Sequence, residues 1–334
     1  MPAVSPAKLV DAILHAIQRS GGSGFYMSEK PAIHPREFLI QYGEDTISLW
    51  VYIWTLTHGG RRSLQDEYRI QMTSVSSPLS TTPSGHTVLL GYHAESDMFA
   101  GFDIDRHLTF TVGSPSVQID IGTIHTAVGD GLAFSQKNNE EIVVGIRPDQ
   151  FLNYVLNAVS LHEYGVDLPT YSLLLKAAQL EEIKPQEMEP LAQERQRIVE
   201  SVSRYARESS FRRQVMDAYG NRCAVTRAQL NLVDAAHIVP VKAQGTDDVS
   251  NGIALSPTIH RAYDNSLIYL DTRYYMRLND QKVGELKSQR LEDGLDDLQG
   301  YLDSQIHLPA NRADWPDPKL IGRANKLRRI KGYY

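Results

Sequence analysis

Within residues 234–264 the chain places Asp234, His237, Asn251, His260 and Asp264. His260 and Asp264 lie four apart in SPTIHRAYDNSLIYLD, a stretch that begins as a helix should, with Ser256 at the cap and Pro257 at the first helical position. Side chains four apart share a helix face, so an imidazole nitrogen and a carboxylate oxygen there can hold a divalent cation. A neutral imidazole, with a reference pKa of about 6.5, accepts a proton at neutral pH. Cation binding joined to proton abstraction is water-activating chemistry.

The elements that must position these groups are short. DAAHIVP alternates as a strand, His237 stands at its end, and Pro240 prevents its continuation as a paired central strand. QGTDDVSNG carries loop chemistry and IALSP reads as a second strand, so a β-hairpin followed by a helix is expected. His237 would then face the same small volume as His260 and Asp264, and Asn251 would hydrogen-bond across the hairpin and fix its loop. Asp234 has the strand parity of Ala236 and so points to the same side. Taken singly, each residue has an ordinary reading: a satisfied core histidine, a helix-surface pair, a turn at Asn251-Gly252. The combination has none.

His237, Asn251 and His260 follow one another at intervals of 14 and 9 residues. In kind, order and interval the region resembles the His-Asn-His (HNH) endonuclease signature of the ββα-metal nucleases. SFRRQVMDAYGNRCAVT before it and RAYDNSLIYLD after the last histidine extend the likeness over roughly residues 205–275. The resemblance implies a general base at His237 and an orienting residue at Asn251. It makes His260 a metal ligand, with Asp264 as a second. It also implies a divalent metal, Mg²⁺ first and Mn²⁺ or another transition metal otherwise, and products with 5′-phosphate and 3′-hydroxyl ends. Many family members carry an Asp directly before the first His; here that place is Ala236, and Asp234 is the candidate replacement ligand. Structural zinc held by cysteine pairs is excluded, because Cys223 is the only cysteine; it reads as a small buried residue.

The chain has 334 residues, 42% hydrophobic and 22% charged, which fits a globular protein of two domains. No apolar run approaches the ~20 residues that span a bilayer. The polar, amphipathic start and the lone cysteine are consistent with a cytoplasmic protein without a signal peptide. Net charge is −6, unevenly spread: residues 1–185 hold 12 Lys and Arg against 20 Asp and Glu, and the remainder 22 against 20. The ending KLIGRANKLRRIKGYY is strongly basic, which suggests contact with a polyanion. Expected DNA contacts are Arg61 and Arg62 in the Gly-Gly-Arg-Arg loop, Lys242, Arg261, Arg328 and Arg329.

The fold class expected is α+β. A helix over 6–19 buries Leu9, Val10, Ile13, Leu14 and Ile17. Strands follow at TISLWVYIWTLT, EYRIQMT, LTFTVG, VQIDIG and EIVVGI, with a hairpin at TVLLGYHAESDMFAGFD. RPDQFLNYVLNAVSLH is helical, VDLPTYSLLLKAAQLEEIKPQEMEP a connector, and LAQERQRIVESVSRYARESSFRRQVMDAYG a charged helix with a break near Ser209-Ser210. These readings give residues 1–165 as a mostly antiparallel recognition or sensor domain, 166–204 as a helical connector and 205–334 as the nuclease module with its basic tail. The layout resembles bacterial HNH restriction endonucleases. That implies a defence nuclease for double-stranded DNA, with the first domain choosing the target (modified DNA included). It would act as a homodimer, because one active site cuts one strand. The alternatives are an immune effector, in which a nucleotide or a protein licenses sequence-independent cutting, and a DNA-binding protein with a decayed site.

Overall fold

The computed structural model describes residues 3–60, 64–111 and 113–333. The chain divides into two compact units, Met1–Ser209 and Ser210–Tyr334.

In the first unit α1 (Pro6–Arg19) starts where Ser5 Oγ accepts from Lys8 N–H and buries Leu9, Val10, Ile13, Ala16 and Ile17. The strands β1 (Ser23–Tyr26), β2 (Arg36–Tyr42), β3 (Asp45–Thr55), β4 (Thr57–His58), β5 (Glu67–Gln71), β6 (His86–His93) and β7 (Met98–Phe102) follow. After the short α2 (Ile104–His107) come β8 (Ser116–Asp120), α3 (Ile121–Asp130), β9 (Leu132–Gln136) and β10 (Ile142–Ile146). A helical run closes the unit: α4 (Phe151–Tyr164), α5 (Leu168–Ala178), α6 (Pro185–Met188) and most of α7 (Gln193–Ala218).

Seven strands form one sheet in the order β1-β2-β3-β6-β7-β10-β9, antiparallel except at β3–β6. The parallel pair is possible because the chain between β3 and β6 crosses over through β4 and β5, which with β8 make a second sheet. Both faces of the large sheet are covered. Leu49, Val51 and Ile53 of β3 join α1, α4, α5 and the first part of α7 in one core, whereas Tyr52 joins α3, β5 and β8 in another. Burial on both sides explains why TISLWVYIW reads as a nearly unbroken apolar run.

The structure departs from the sequence expectations in four places. LTFTVG is not a strand: Leu108–Thr111 is irregular, tied to the preceding loop by bonds such as Leu79 N–H to Leu108 O and Phe110 N–H to Ser77 Oγ, while Val112 lies outside the described residues. β-propensity makes a strand only where a partner edge exists. VQIDIG turns into α3 at Asp120, whose side chain caps Gly122 N–H at 2.7 Å; two glycines and two threonines hide that helix from propensity. The expected connector contains α5, which contributes Leu173, Leu174 and Ala177 to the core. No break occurs at Ser209-Ser210, because α7 is continuous there and serine costs a helix only tenths of a kcal/mol.

In the second unit, the end of α7 leads to β11 (Asp234–His237) and β12 (Gly252–Leu255), paired antiparallel with Asp234 opposite Leu255 and His237 opposite Gly252. Then come α8 (Pro257–Asp264), the hairpin β13 (Ile268–Leu270) with β14 (Met276–Leu278), α9 (Asp280–Gln289), α10 (Leu295–Gln299) and α11 (Pro318–Leu327). Phe211 and Val215 of α7, Ile253–Leu255, Ile259 and Tyr263 of α8, and Ile321 of α11 share this unit's core. No described helix is long and apolar enough to cross a membrane.

Candidate active site

Asn251 holds the hairpin loop closed. Its side chain is fully buried and every polar atom of its amide is used: Oδ1 accepts from Val239 N–H at 2.9 Å, and Nδ2 donates to Val239 O at 2.9 Å and to Thr246 O at 2.7 Å. Ile238 N–H adds a bond to the Asn251 carbonyl at 2.8 Å. An asparagine can donate twice and accept at once, so no apolar residue could replace it without orphaning three backbone groups. Two glycines let the chain pass closely. A Cβ on Gly252 would stand 2.3 Å from Val215 Cγ2, and one on Gly245 would stand 1.8 Å from Val239 O.

His237 leaves the end of β11 with its ring stacked on Phe211 of α7, centroids 3.8 Å apart and planes 9° from parallel. Its Nε2 lies 3.0 Å from Asp247 Oδ1, in the loop that Asn251 closes. The ring is therefore fixed in plane by a phenyl face and in rotation by a carboxylate. With Nε2–H donating to Asp247, the free lone pair of the neutral imidazole is on Nδ1.

On α8 the side chains of His260 and Asp264 meet as the spacing predicts, Nε2 to Oδ2 at 3.3 Å. The other ring nitrogen, Nδ1, is 3.5 Å from Asp234 Oδ2, and Asp234 Oδ1 is 3.4 Å from Arg212 Nη1 of α7. Asp234 thus reaches the histidine despite lying one pleat repeat before Ala236, whose methyl is buried. Burial alone would lower the His260 pKa, but the bond to Asp234 and the charges of Asp264 and Asp234 outweigh it and raise it. Burial likewise opposes ionisation of Asp234, and His260 and Arg212 together hold its carboxyl below the usual value. Arg212 follows Phe211, so adjacent residues of one helix touch Asp234 and His237.

The three metal-ligand candidates are linked as a chain rather than gathered around a point. The two ring nitrogens of His260 diverge, one toward each carboxylate, and one ion can take only one of them. Among the described residues no group of three or more His, Cys, Asp or Glu side chains is arranged to hold a metal ion. A hard cation that keeps several waters needs only one or two protein carboxylates besides a phosphate, which Asp234 or Asp264 can supply, while the His260 imidazole suits a transition metal better. His260 with Asp234, or His260 with Asp264, offers a pair of donors.

The remaining expected contacts are dispersed. Lys242 and Arg261 are exposed, on a 3-10 turn after β11 and on α8. Arg329 is exposed just beyond α11. Arg328 is turned inward, its Nη1 donating to Ile238 O at 3.0 Å and its guanidinium 4.2 Å from the Tyr263 ring centre, so its charge secures the tail to the hairpin and α8. Arg61 and Arg62 lie outside the described residues. Ser256 makes no side-chain cap on α8, although Pro257 does occupy the first turn. Sequence reasoning missed Asp247 and gave no roles to Phe211 and Arg212. Asp247 sits in a polar loop with no periodicity to mark it, whereas the other two stand in SFRRQ, inside the segment whose likeness was noted.

Residues 223–271 match a family described as HNH endonuclease, and residues 47–155 match one described as Methylase-associated X1. Among curated proteins none matches this chain. A solved structure described as "Modification dependent TagI restriction endonuclease" is 12% identical, with 85% of this chain and 84% of that chain covered, at a TM-score of 0.28. The first match begins at Cys223 and spans both hairpin arms, Asn251 and the helix of His260; it identifies residues 223–271 as an HNH endonuclease domain, which indicates a DNA-cleaving hydrolase.

Proposed function

We propose that the protein is a restriction-type endonuclease that hydrolyses double-stranded DNA with a divalent metal, Mg²⁺ first, and that its first unit selects the target, modified DNA included. The fixed His237 ring carries this reading. Its Nδ1 takes a proton from water, the resulting hydroxide oxygen attacks the phosphorus, the bond to the 3′ oxygen breaks, and that oxygen takes a proton from solvent, leaving 5′-phosphate and 3′-hydroxyl ends. Asp247 holds the ring orientation and stabilises the imidazolium as it forms, the role a carboxylate plays behind a basic histidine elsewhere. Asn251 is a positioning residue, because it shapes the loop that brings Asp247 to His237. A cation held by His260 with Asp234 or Asp264, when bound, supplies charge neutralisation at the phosphoryl oxygens and the departing oxygen. Lys242, Arg261 and Arg329 are proposed phosphate contacts, and Arg61 and Arg62 contacts of the first unit.

The match of residues 47–155 to a methylase-associated family supports a place in restriction and defence beside an enzyme that marks DNA. Cutting both strands calls for two modules, hence a homodimer. The test is cleavage of unmodified, methylated and hydroxymethylated DNA in Mg²⁺ or Mn²⁺ by the parent and by His237→Ala. The parent should cut at least one substrate, and the variant should bind it without cutting. Full activity in the variant would reject the mechanism.

A further inference from the structure

The first unit contains a buried cation, Arg36, with no ion-pair partner among the described residues. β2 pairs with β3 from Tyr42–Asp45 up to Arg36–Val51 and stops, while β3 runs on to Thr55, so its last residues lack a partner on that side. Two side chains fill the gap. Arg36 Nη1 donates to Ile53 O at 3.1 Å and contacts His34 Nε2. Arg36 is 2% exposed, and among the described residues no carboxylate pairs with it. Its Nε and His34 Nδ1 are buried without hydrogen-bond partners. His34 Nε2 also lies 3.1 Å from Ile53 O, so whichever tautomer the ring takes, Arg36 Nε–H is a buried donor left unmatched. Burial and the Arg36 charge push the His34 pKa down to about 4, so the histidine adds no second charge at neutral pH.

Both residues line a cavity of about 360 Å³ with Trp54, Gln71 and Thr73. Its aromatic wall is well defined: the His34 ring stacks on Trp54 with centroids 4.3 Å apart, and Trp54 Nε1 donates to Thr73 O at 3.2 Å. A solitary buried guanidinium costs several kcal/mol unless an anion meets it. An arginine that merely plugged a strand edge would need no aromatic cavity beside it. The volume falls at the small end of ligand pockets, which run from about 300 to 1,000 Å³.

We propose that this cavity binds one nucleotide, with its phosphate on Arg36 and its base against Trp54. Guanidinium on phosphate and indole on base are the two contacts such a ligand offers together. It can be extruded from DNA or free in solution. The inference deepens the reading of the first unit as the part that selects the target and leaves the cutting reading aside, since no residue of the second unit takes part.

The experiment measures binding to the full chain in EDTA, where cutting plays no role. One arm titrates free deoxynucleoside monophosphates, unmodified and 5-methylated, and the other a short duplex carrying one unpaired nucleotide beside the fully paired duplex. Binding of the monophosphates alone makes the ligand a free nucleotide. Preference for the unpaired duplex makes it a base drawn from DNA. Arg36→Met is expected to weaken the productive arm by about 10- to 100-fold, as loss of a charge-assisted contact does. Trp54→Leu, whose ring is partly exposed, should weaken it with folding intact. Absence of binding in both arms at millimolar ligand, or binding unchanged in Trp54→Leu and in a folded Arg36→Met, would overturn the proposal. His237→Ala should bind as the parent does, so failure here is separable from failure of the catalytic assignment.

Discussion

Asp247→Ala removes the acceptor of the 3.0 Å bond to His237 Nε2 and leaves the stacking on Phe211 in place. A hydrogen bond with a charged partner is worth about 1.5–3 kcal/mol, and it is strongest when the ring becomes an imidazolium, that is, in the transition state. Both side chains are about a quarter exposed, at 23% and 28%, so solvent screening places the loss toward the lower end. At about 1.4 kcal/mol per factor of ten, kcat should fall roughly 10- to 50-fold. Asp247→Asn keeps an acceptor without the charge and should fall less. The assay is single-turnover nicking of supercoiled plasmid with Mg²⁺ or Mn²⁺, with the melting temperature measured in parallel. His237→Ala should lose the whole general-base contribution of about 10²–10⁴-fold. Adding Asp247→Ala to it should cost nothing more, since the ring that the carboxylate orients is gone. Parental rates in Asp247→Ala, or the same further loss in the His237→Ala background, would refute the positioning role.

Asn251→Ala orphans Val239 N–H, Val239 O and Thr246 O in the interior, at about 1–3 kcal/mol each, so the second unit should lose at least 3 kcal/mol in urea unfolding. Gly252→Ala drives a methyl against Val215 and Phe211; cutting should fall with stability as Phe211 moves under His237, and a crystal structure would show the displaced ring. Glu141 in the first unit gives a pH prediction. Burial would raise its pKa, but hydrogen bonds from His107 and Lys137 hold it at about 2, against 4.5 for a free glutamate. A depressed carboxylate stabilises above its unfolded pKa, so this contribution is complete at pH 7 and is lost as pH falls from about 4.5 toward 2. Protection factors of the β10 amides, corrected for the intrinsic pH dependence of exchange, should fall over that window in the parent and show no such step in Glu141→Gln.

The elements that sequence marked well are those whose own residues settle the matter. The α1 stripe from Leu9 to Ile17, the β6–β7 hairpin and the His260–Asp264 turn all rest on local periodicity, and all three appear where the pattern puts them. What stayed hidden depends on partners far along the chain. α3 is made by Asp120 capping and by a sheet that buries Ile124 and Ala127, neither visible in IGTIHTAVGD. The active-site geometry divides in the same way. Interval and order singled out His237, Asn251 and His260 as candidates, whereas the side chains that contact them from elsewhere in the chain were not legible. Asp247 reaches His237 because a loop folds back on Asn251, and Asp234 reaches His260 across 26 residues. A histidine's usefulness as a base depends on which nitrogen its neighbours leave free. On the proposed mechanism a loop aspartate decides it for His237, and that aspartate stands in the least periodic segment around the site.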